Sequence, residues 1–228
     1  MAKRPIFVPS NTPSELVKEV NVEFDWYPGF SVTQKEKSIK SLHDSAKKSG
    51  LNSVLEISTK SPLALGKELS AFNLRYKIND AAMVVEAAFQ GSKVFENGGP
   101  FTDIYALSGR EAKRDDRIRN SGDLLEFDLL GDKWGLEPKT VFYDWLYINA
   151  IHQNPVLRDQ LTQFDGFSDI EFNPEKSFSC QARSAALYVS LKKLNLLTNA
   201  LLDKKNYLQI ILPGTDTQSF GQSLLPGF

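Results

Sequence analysis

Glu86, Gln90 and Lys93 stand at i, i+4 and i+7 within VEAAFQGSKVF. On a helix that spacing projects a carboxylate, an amide and an amine from one face. An acid and an amine a turn and a half apart can carry proton transfer or imine chemistry. Val84, Val85, Ala88 and Phe89 would then form the opposite, buried side. A Glu and a Lys at this spacing are also what a solvated amphipathic helix displays. The neighbouring Ala87, Ala88, Gly91 and Ser92 argue for more, because small residues allow close packing that would partly bury both charges.

Other chemistry-bearing residues are fewer. His43 and His152 have no Cys, His or carboxylate partners at metal-ligand spacing, so neither a metal nor a cofactor is expected. Cys180 is the single cysteine and cannot close an intramolecular disulfide. With no histidine near it in sequence, it reads as a buried structural thiol. The chain contains no Walker loop, GxGxxG or GxSxG, which removes the common nucleotide-binding and serine-hydrolase readings.

The elements that must position these residues follow from periodicity. Residues 1–30 are punctuated by proline, with short strands expected at Ile6 to Val8 and Val22 to Trp26, as an edge or a wrapping arm. Thr33 to Lys48 places Ile39, Leu42 and Ala46 on one stripe of an amphipathic helix that Gly50 stops. Strands are expected over Val54 to Ser58 and over Leu69 to Ile78, the second alternating around Phe72, Leu74 and Tyr76, with an Asn79-Asp80 turn before the Glu86 helix. After the ENGGPFTD loop, Ser108 and Glu111 form a capping-box pattern at a new helix start. A strand over Leu124 to Leu130 follows, then a helix over Val141 to Ile151 with Phe142, Trp145, Leu146 and Asn149 on its inner side. Pro155 can open another helix, FSDIEF reads as a strand, and SCQARSAALYVSLKKLNLL and LTNALLDKKNYLQIIL as helices. From Pro213 the chain loses periodicity and is expected to be poorly ordered or extended over the surface.

These elements predict an α+β fold, a helix-rich single domain around a small sheet. Its parts would be an N-terminal extension (1–50), a catalytic region (51–212) and a tail (213–228). The formal charge of -1 excludes a global basic field, so any nucleic-acid contact must be local. The opening MAKRPIFVPSNTP lacks the apolar core of a signal peptide, and the apolar runs are too short to span a bilayer. The expected setting is a reducing cytoplasm, with no membrane contact.

In order and spacing, LSAFNL, VEAAFQGSKVF, SGREAK, a Trp-containing helix, QNPVLRDQL and the acidic FSDIEF are together similar to the NADAR (YbiA-like) family over roughly residues 69–190. The family's usual WGxG after the acidic strand is replaced by EFNPEKSFSCQARSAAL. That departure, the long N-terminal part and GSKVFENGGPFTDIY resemble the branch encoded beside DarT-type DNA ADP-ribosyltransferase toxins.

The resemblance implies a NADAR-like fold and an antitoxin that removes ADP-ribose from modified guanine. Its partners would be ADP-ribosylated DNA or RNA, ADP-ribose as product and a cognate ADP-ribosyltransferase toxin. Such cleavage breaks an N-glycoside and needs a proton donor and stabilisation of a cationic C1, or capture of the ring-opened imine by a neutral lysine. Glu86 would do the acid and base work and Lys93 the imine chemistry. Asp169 is preferred to Glu171 as the acidic residue of the site, from its place in the family-like pattern. Ser108 at its helix start, with Arg110 and Lys113 behind, would hold the diphosphate. Asn73 would orient a ribose hydroxyl, Gln90 would share the Glu86 face, and Phe72 or Trp145 would offer an apolar face to sugar or base. Lys35, Lys37, Lys40, Arg114, Arg117 or Arg119 would border the opening for a nucleic-acid strand. Two rivals share parts of this set: an N-glycosidase acting on a ribosylamine phosphate of riboflavin metabolism, and a module that binds ADP-ribose or sequesters a toxin without turnover.

Overall fold

A computed structural model of the chain describes residues 1–213 apart from Phe30, Asp80 and Lys176. In chain order it contains β1 (Ala2–Thr12), β2 (Glu15–Phe24), α1 (Val32–Lys48), β3 (Val54–Glu56), α2 (Ala64–Glu68), β4 (Arg75–Ile78), β5 (Ala81–Val84), α3 (Val85–Gly91) and β6 (Lys93–Phe95). Then come α4 (Gly109–Arg114), α5 (Arg117–Asn120), β7 (Leu124–Leu129), β8 (Asp132–Trp134), α6 (Val141–His152), α7 (Pro155–Arg158), β9 (Gly166–Ser168), α8 (Gln181–Lys193), α9 (Leu197–Ala200) and α10 (Lys204–Ile211). The fold is α+β, as the sequence pattern predicts.

The largest sheet has the order β2-β1-β9-β3, with β1 antiparallel to both neighbours and β3 parallel to β9. The expectation of an edge or wrapping arm is therefore corrected for β1, which lies inside the sheet while β2 forms its edge. Period-two alternation explains the position. Ile6 points into a small core with Val22, Ile39 and Leu42 under α1, and Phe7 points the other way into the main core. Both faces of β1 are thus covered.

The main core is built on α6 and α8. Ten of the twelve residues of α6 are buried, Asp144 among them. A helix that is apolar on every side belongs in an interior rather than on a surface, so VFYDWLYINAIH has no single inner side. Asp144 is tolerated there because Arg183 Nη1 reaches its Oδ2 at 2.5 Å and the Ser184 hydroxyl donates to its Oδ1 at 2.6 Å.

Two further corrections concern the segment around the site. Leu69 to Asn73 is a turn, not the start of a strand, since both Asn73 N and Leu74 N donate to Ser70 O at 2.7 Å. The strand begins at Arg75 and returns through Asn79, at φ 52, into β5. Asp80, the other half of the expected turn, lies outside the described residues, as does the tail after Pro213. The Glu86 helix is also shorter than its periodicity implies. It ends at Gly91, and Lys93 opens strand β6, paired with Phe127 of β7.

Candidate active site

A cleft of about 510 Å³ opens where α3, the turn before β4, the start of β6 and the chain beyond β9 meet. Glu86, Gln90, Lys93, Lys113, Asp169 and Glu171 line it, with Phe72, Phe89 and Tyr143. Seven of the residues expected from the sequence are therefore together, although Lys93 arrives by a different route. It leaves the first position of β6, and its Nζ stands 5.0 Å from the centroid of the Phe89 ring. Phe89, expected on the buried face, is a wall of the cleft.

The base of α3 is held by backbone and small residues. Glu86 N donates to Ala71 O at 2.9 Å, which fixes the helix start against the turn carrying Phe72. A Cβ on Gly109 would stand 3.0 Å from Phe72 Cα and 3.1 Å from Glu86 Cβ, so the glycine lets α4 close directly behind the carboxylate. Glu86 is 6% exposed and accepts from Gln90 Nε2 at 2.9 Å. Gln90 Oε1 is buried without a hydrogen-bond partner in the protein. Such an acceptor suits a ligand hydroxyl.

Burial pushes the Lys93 amine down to about 8, with Lys113 lowering it further and Glu86 acting against both. About one amine in ten is then neutral at pH 7. Asp169 moves the other way. Its carboxyl is raised by burial first and then by Glu56, whose own carboxyl burial also raises.

Asp169 lies just past β9 in a turn, where Phe172 N donates to Asp169 O. The strand expected over FSDIEF ends at Ser168, so Asp169 and Glu171 stand in the turn beyond it, and both line the cleft. Asp169 Oδ1 accepts from Glu171 N at 3.0 Å and Oδ2 from Gln181 Nε2 at 3.0 Å. Gln181 also donates to Ile57 O and accepts from Ala71 N, so one amide ties the Asp169 turn, the chain just past β3 and the Phe72 turn together. Behind the turn, the Ser168 hydroxyl donates to Glu56 Oε2 at 2.6 Å and meets His43 Nε2 at 2.9 Å, while Ile170 N donates to Glu56 Oε1. The Ser168 hydroxyl thus bridges Glu56 and His43 Nε2. Burial holds that imidazole down to about 4.

Four expected residues do not line the cleft. Asn73 Nδ2 donates to Lys67 O, and Asn73 and Ser108 border a separate depression of about 360 Å³. The Ser108 helix start is closed by its own Glu111, whose carboxylate takes the Ser108 hydroxyl proton at 2.6 Å and the Ser108 N–H at 3.0 Å. An anion would have to displace that carboxylate. Arg110 is exposed with Arg114 on another surface. Trp145 packs against Trp134 at 5.6 Å and Tyr207 at 5.0 Å in the core. None of the six cations expected at the border lines the cleft either. Arg117 is committed to Asp103 and Asp115, and Lys40 to Asp44.

Sequence reasoning missed Phe89, Tyr143 and Gln181. The absence of any polar stripe in VFYDWLYINAIH was the available signal for Tyr143, because a helix buried all round can present any of its residues to a cavity. Gln181 carried only the faint signal of a long amide opening a helix of small apolar residues. Among the described residues no group of three or more His, Cys, Asp or Glu could hold a metal ion, and no helix is long and apolar enough to cross a membrane. A neutralisable amine beside a carboxylate, a carboxyl that favours its proton and unpaired amide capacity together suit a polyhydroxylated ligand with a reactive carbon. The family model described as DarT1-associated NADAR antitoxin matches residues 2–219. No curated protein matches the chain.

Proposed function

The chain belongs to the DarT1-associated NADAR antitoxin family, and we propose that it is a cytoplasmic N-glycosidase that removes ADP-ribose from guanine in DNA modified by a cognate ADP-ribosyltransferase toxin. The observation that carries this reading is the Lys93 amine, lowered to about 8 by burial in the same cleft as Glu86 and Asp169. A lysine near neutrality is a nucleophile toward an imine carbon, whereas an ordinary surface lysine is almost wholly protonated.

Asp169, which keeps its proton because burial and Glu56 oppose ionisation, protonates the ribose ring oxygen. The C1–O bond opens, leaving C1 as an iminium to the base nitrogen. The Lys93 Nζ lone pair adds to C1, and Glu86 carries the proton lost from Nζ to the base nitrogen. The C1–N bond to the base then breaks, the base leaves with its amine restored, and C1 is held as an imine to Lys93. Water adds to that carbon, one of its protons restores Asp169 and the other passes through Glu86 to Nζ, the C1–Nζ bond breaks, and ADP-ribose departs with Lys93 regenerated. Gln90 Oε1, without a protein donor, accepts from a ribose hydroxyl, and Lys113 at the exposed rim attracts the diphosphate.

The test is incubation with a guanine-ADP-ribosylated oligonucleotide, with borohydride added to trap a covalent adduct. Free ADP-ribose and an adduct in the wild type, both absent in Lys93→Ala, are expected. Release without a trappable adduct would favour direct hydrolysis of the glycoside. Protection from the toxin that survives in Glu86→Ala and Lys93→Ala with no ADP-ribose released would point to sequestration and sink the catalytic reading.

A further inference from the structure

A second hollow, of about 380 Å³, adjoins the cleft and shares Phe89, Lys93, Ser177 and Ser179 with it. The two halves differ in chemistry. The first is lined by carboxylates and amides, whereas Leu124, Phe127, Leu136 and Phe178 make the second largely apolar, although Glu137 also lines it. Phe178 is 62% exposed, a large aromatic left at a rim instead of in the core. Lys139 stands beside it, with Nζ 4.0 Å from the ring centroid. Its volume lies within the range that small-molecule sites occupy, about 300–1,000 Å³.

Resting on the glycosidase reading, the bond to be cut joins a hydroxyl-rich sugar carbon to the nitrogen of a flat aromatic base. The reacting carbon must therefore sit where a polar compartment meets an apolar one. Lys93 is the amine common to both hollows. We propose that the second hollow is the nucleobase subsite, in which the modified purine of a single strand stacks on Phe178 while Lys139 attracts a flanking phosphate. An aromatic face suits this task because every base has a π-face, and covering Phe178 removes apolar surface from water. The cation on its ring adds charge where a nucleic-acid strand brings phosphate.

The experiment has two arms on the full chain. Release of ADP-ribose from a guanine-ADP-ribosylated oligonucleotide is followed for wild type, Phe178→Ala and Phe178→Trp. KM should rise about tenfold in the alanine variant, the scale of one base stacked on one ring, and return in the tryptophan variant. Separately, binding of an unmodified single-stranded oligonucleotide carrying 2-aminopurine is read by quenching of its fluorescence. Quenching should occur with wild type and be lost in Phe178→Ala. This arm needs no turnover, so Phe178-dependent quenching by an inactive wild type would support the subsite and refute the glycosidase. Wild-type turnover with KM and quenching both unchanged in Phe178→Ala would overturn the subsite alone. So would an effect of Phe178→Ala confined to binding of the toxin protein.

Discussion

At the scale of single residues, the charge state of Lys93 controls the proposed reaction. A folded pKa of about 8 lies below the ordinary 10.5, so the neutral, nucleophilic fraction grows as pH rises through 8. Activity should climb toward pH 8 along that limb and fall beyond it as Asp169, raised to about 8, loses the proton it gives to the ring oxygen, and Lys93→Ala should lose on the order of 10³-fold or more in kcat. Lys113 helps hold the amine down, so Lys113→Met should move the limb to higher pH in a pH–rate profile. A limb that stays in place would detach it from Lys93. His43 gives a second titration, read in stability. Its folded pKa of about 4 lies below the unfolded 6.5, so between those values the unfolded chain binds the proton and the folded one does not. Stability contributed by the neutral ring is complete above 6.5 and falls by ~3 kcal/mol as pH drops toward 4. Thermal melts of wild type should show that decline, and His43→Gln should flatten it. Equal slopes in the two proteins would refute the assignment.

At the scale of elements, the end of α3 sets where Lys93 points. Ser92 caps the helix, its hydroxyl donates to Ala88 O at 2.7 Å and meets Tyr105 OH at 3.2 Å, and its carbonyl accepts from Asp128 N of β7. The chain thus passes from helix to sheet within one residue. Gly91 makes this possible, since a Cβ there would lie 2.6 Å from the Tyr105 ring. Gly91→Ala must push the ring or the helix end aside, at a cost of ~1–3 kcal/mol. Denaturant melts should show that loss, and activity should fall further than stability alone explains because Lys93 follows the displaced helix end. A variant as stable and active as wild type would show that Tyr105 does not set this junction.

Across the whole molecule, the first strand and the site depend on each other. β1 pairs with β9 at Phe7 and Phe167, and the chain leaving β9 carries Asp169. Phe7 is 2% exposed in the main core, so Phe7→Ala should cost ~3–5 kcal/mol in a denaturant melt and loosen the Asp169 turn with it. A loss under about 1 kcal/mol would mean that the strand is dispensable to the core. Electrostatics act at the same scale. With a formal charge of -1 and, among the described residues, Lys113 and Lys139 as the cations lining the two hollows besides Lys93, few counterions are displaced by a bound strand. The logarithmic salt slope for oligonucleotide binding should be shallow, about -1 to -2. A slope several times steeper would reveal a basic surface engaged elsewhere.

The sequence alone determined the elements whose periodicity was strong, and the residue types of the reaction. The α1 stripe, the Ser108–Glu111 capping box, the strand at Leu124 and the helices after Val141 and Cys180 are local patterns that local physics reads correctly. Glu86 and Lys93 were legible as chemistry because an acid and an amine stand among small and apolar neighbours, and Asp169 only through its place in the family-like pattern. Tertiary structure decided the rest. Pairing with β7 outweighed helical spacing at Lys93, and an internal capping carboxylate closed the Ser108 helix start to anions. Burial on all sides admitted Tyr143 to the cleft and kept Trp145 in the core. The Asp169 carboxyl is raised by burial first and then by Glu56, more than a hundred positions away in the chain, and no spacing along a sequence encodes such an encounter. Side-chain periodicity reports only a residue's own element, whereas desolvation and charge coupling depend on what the fold brings against it.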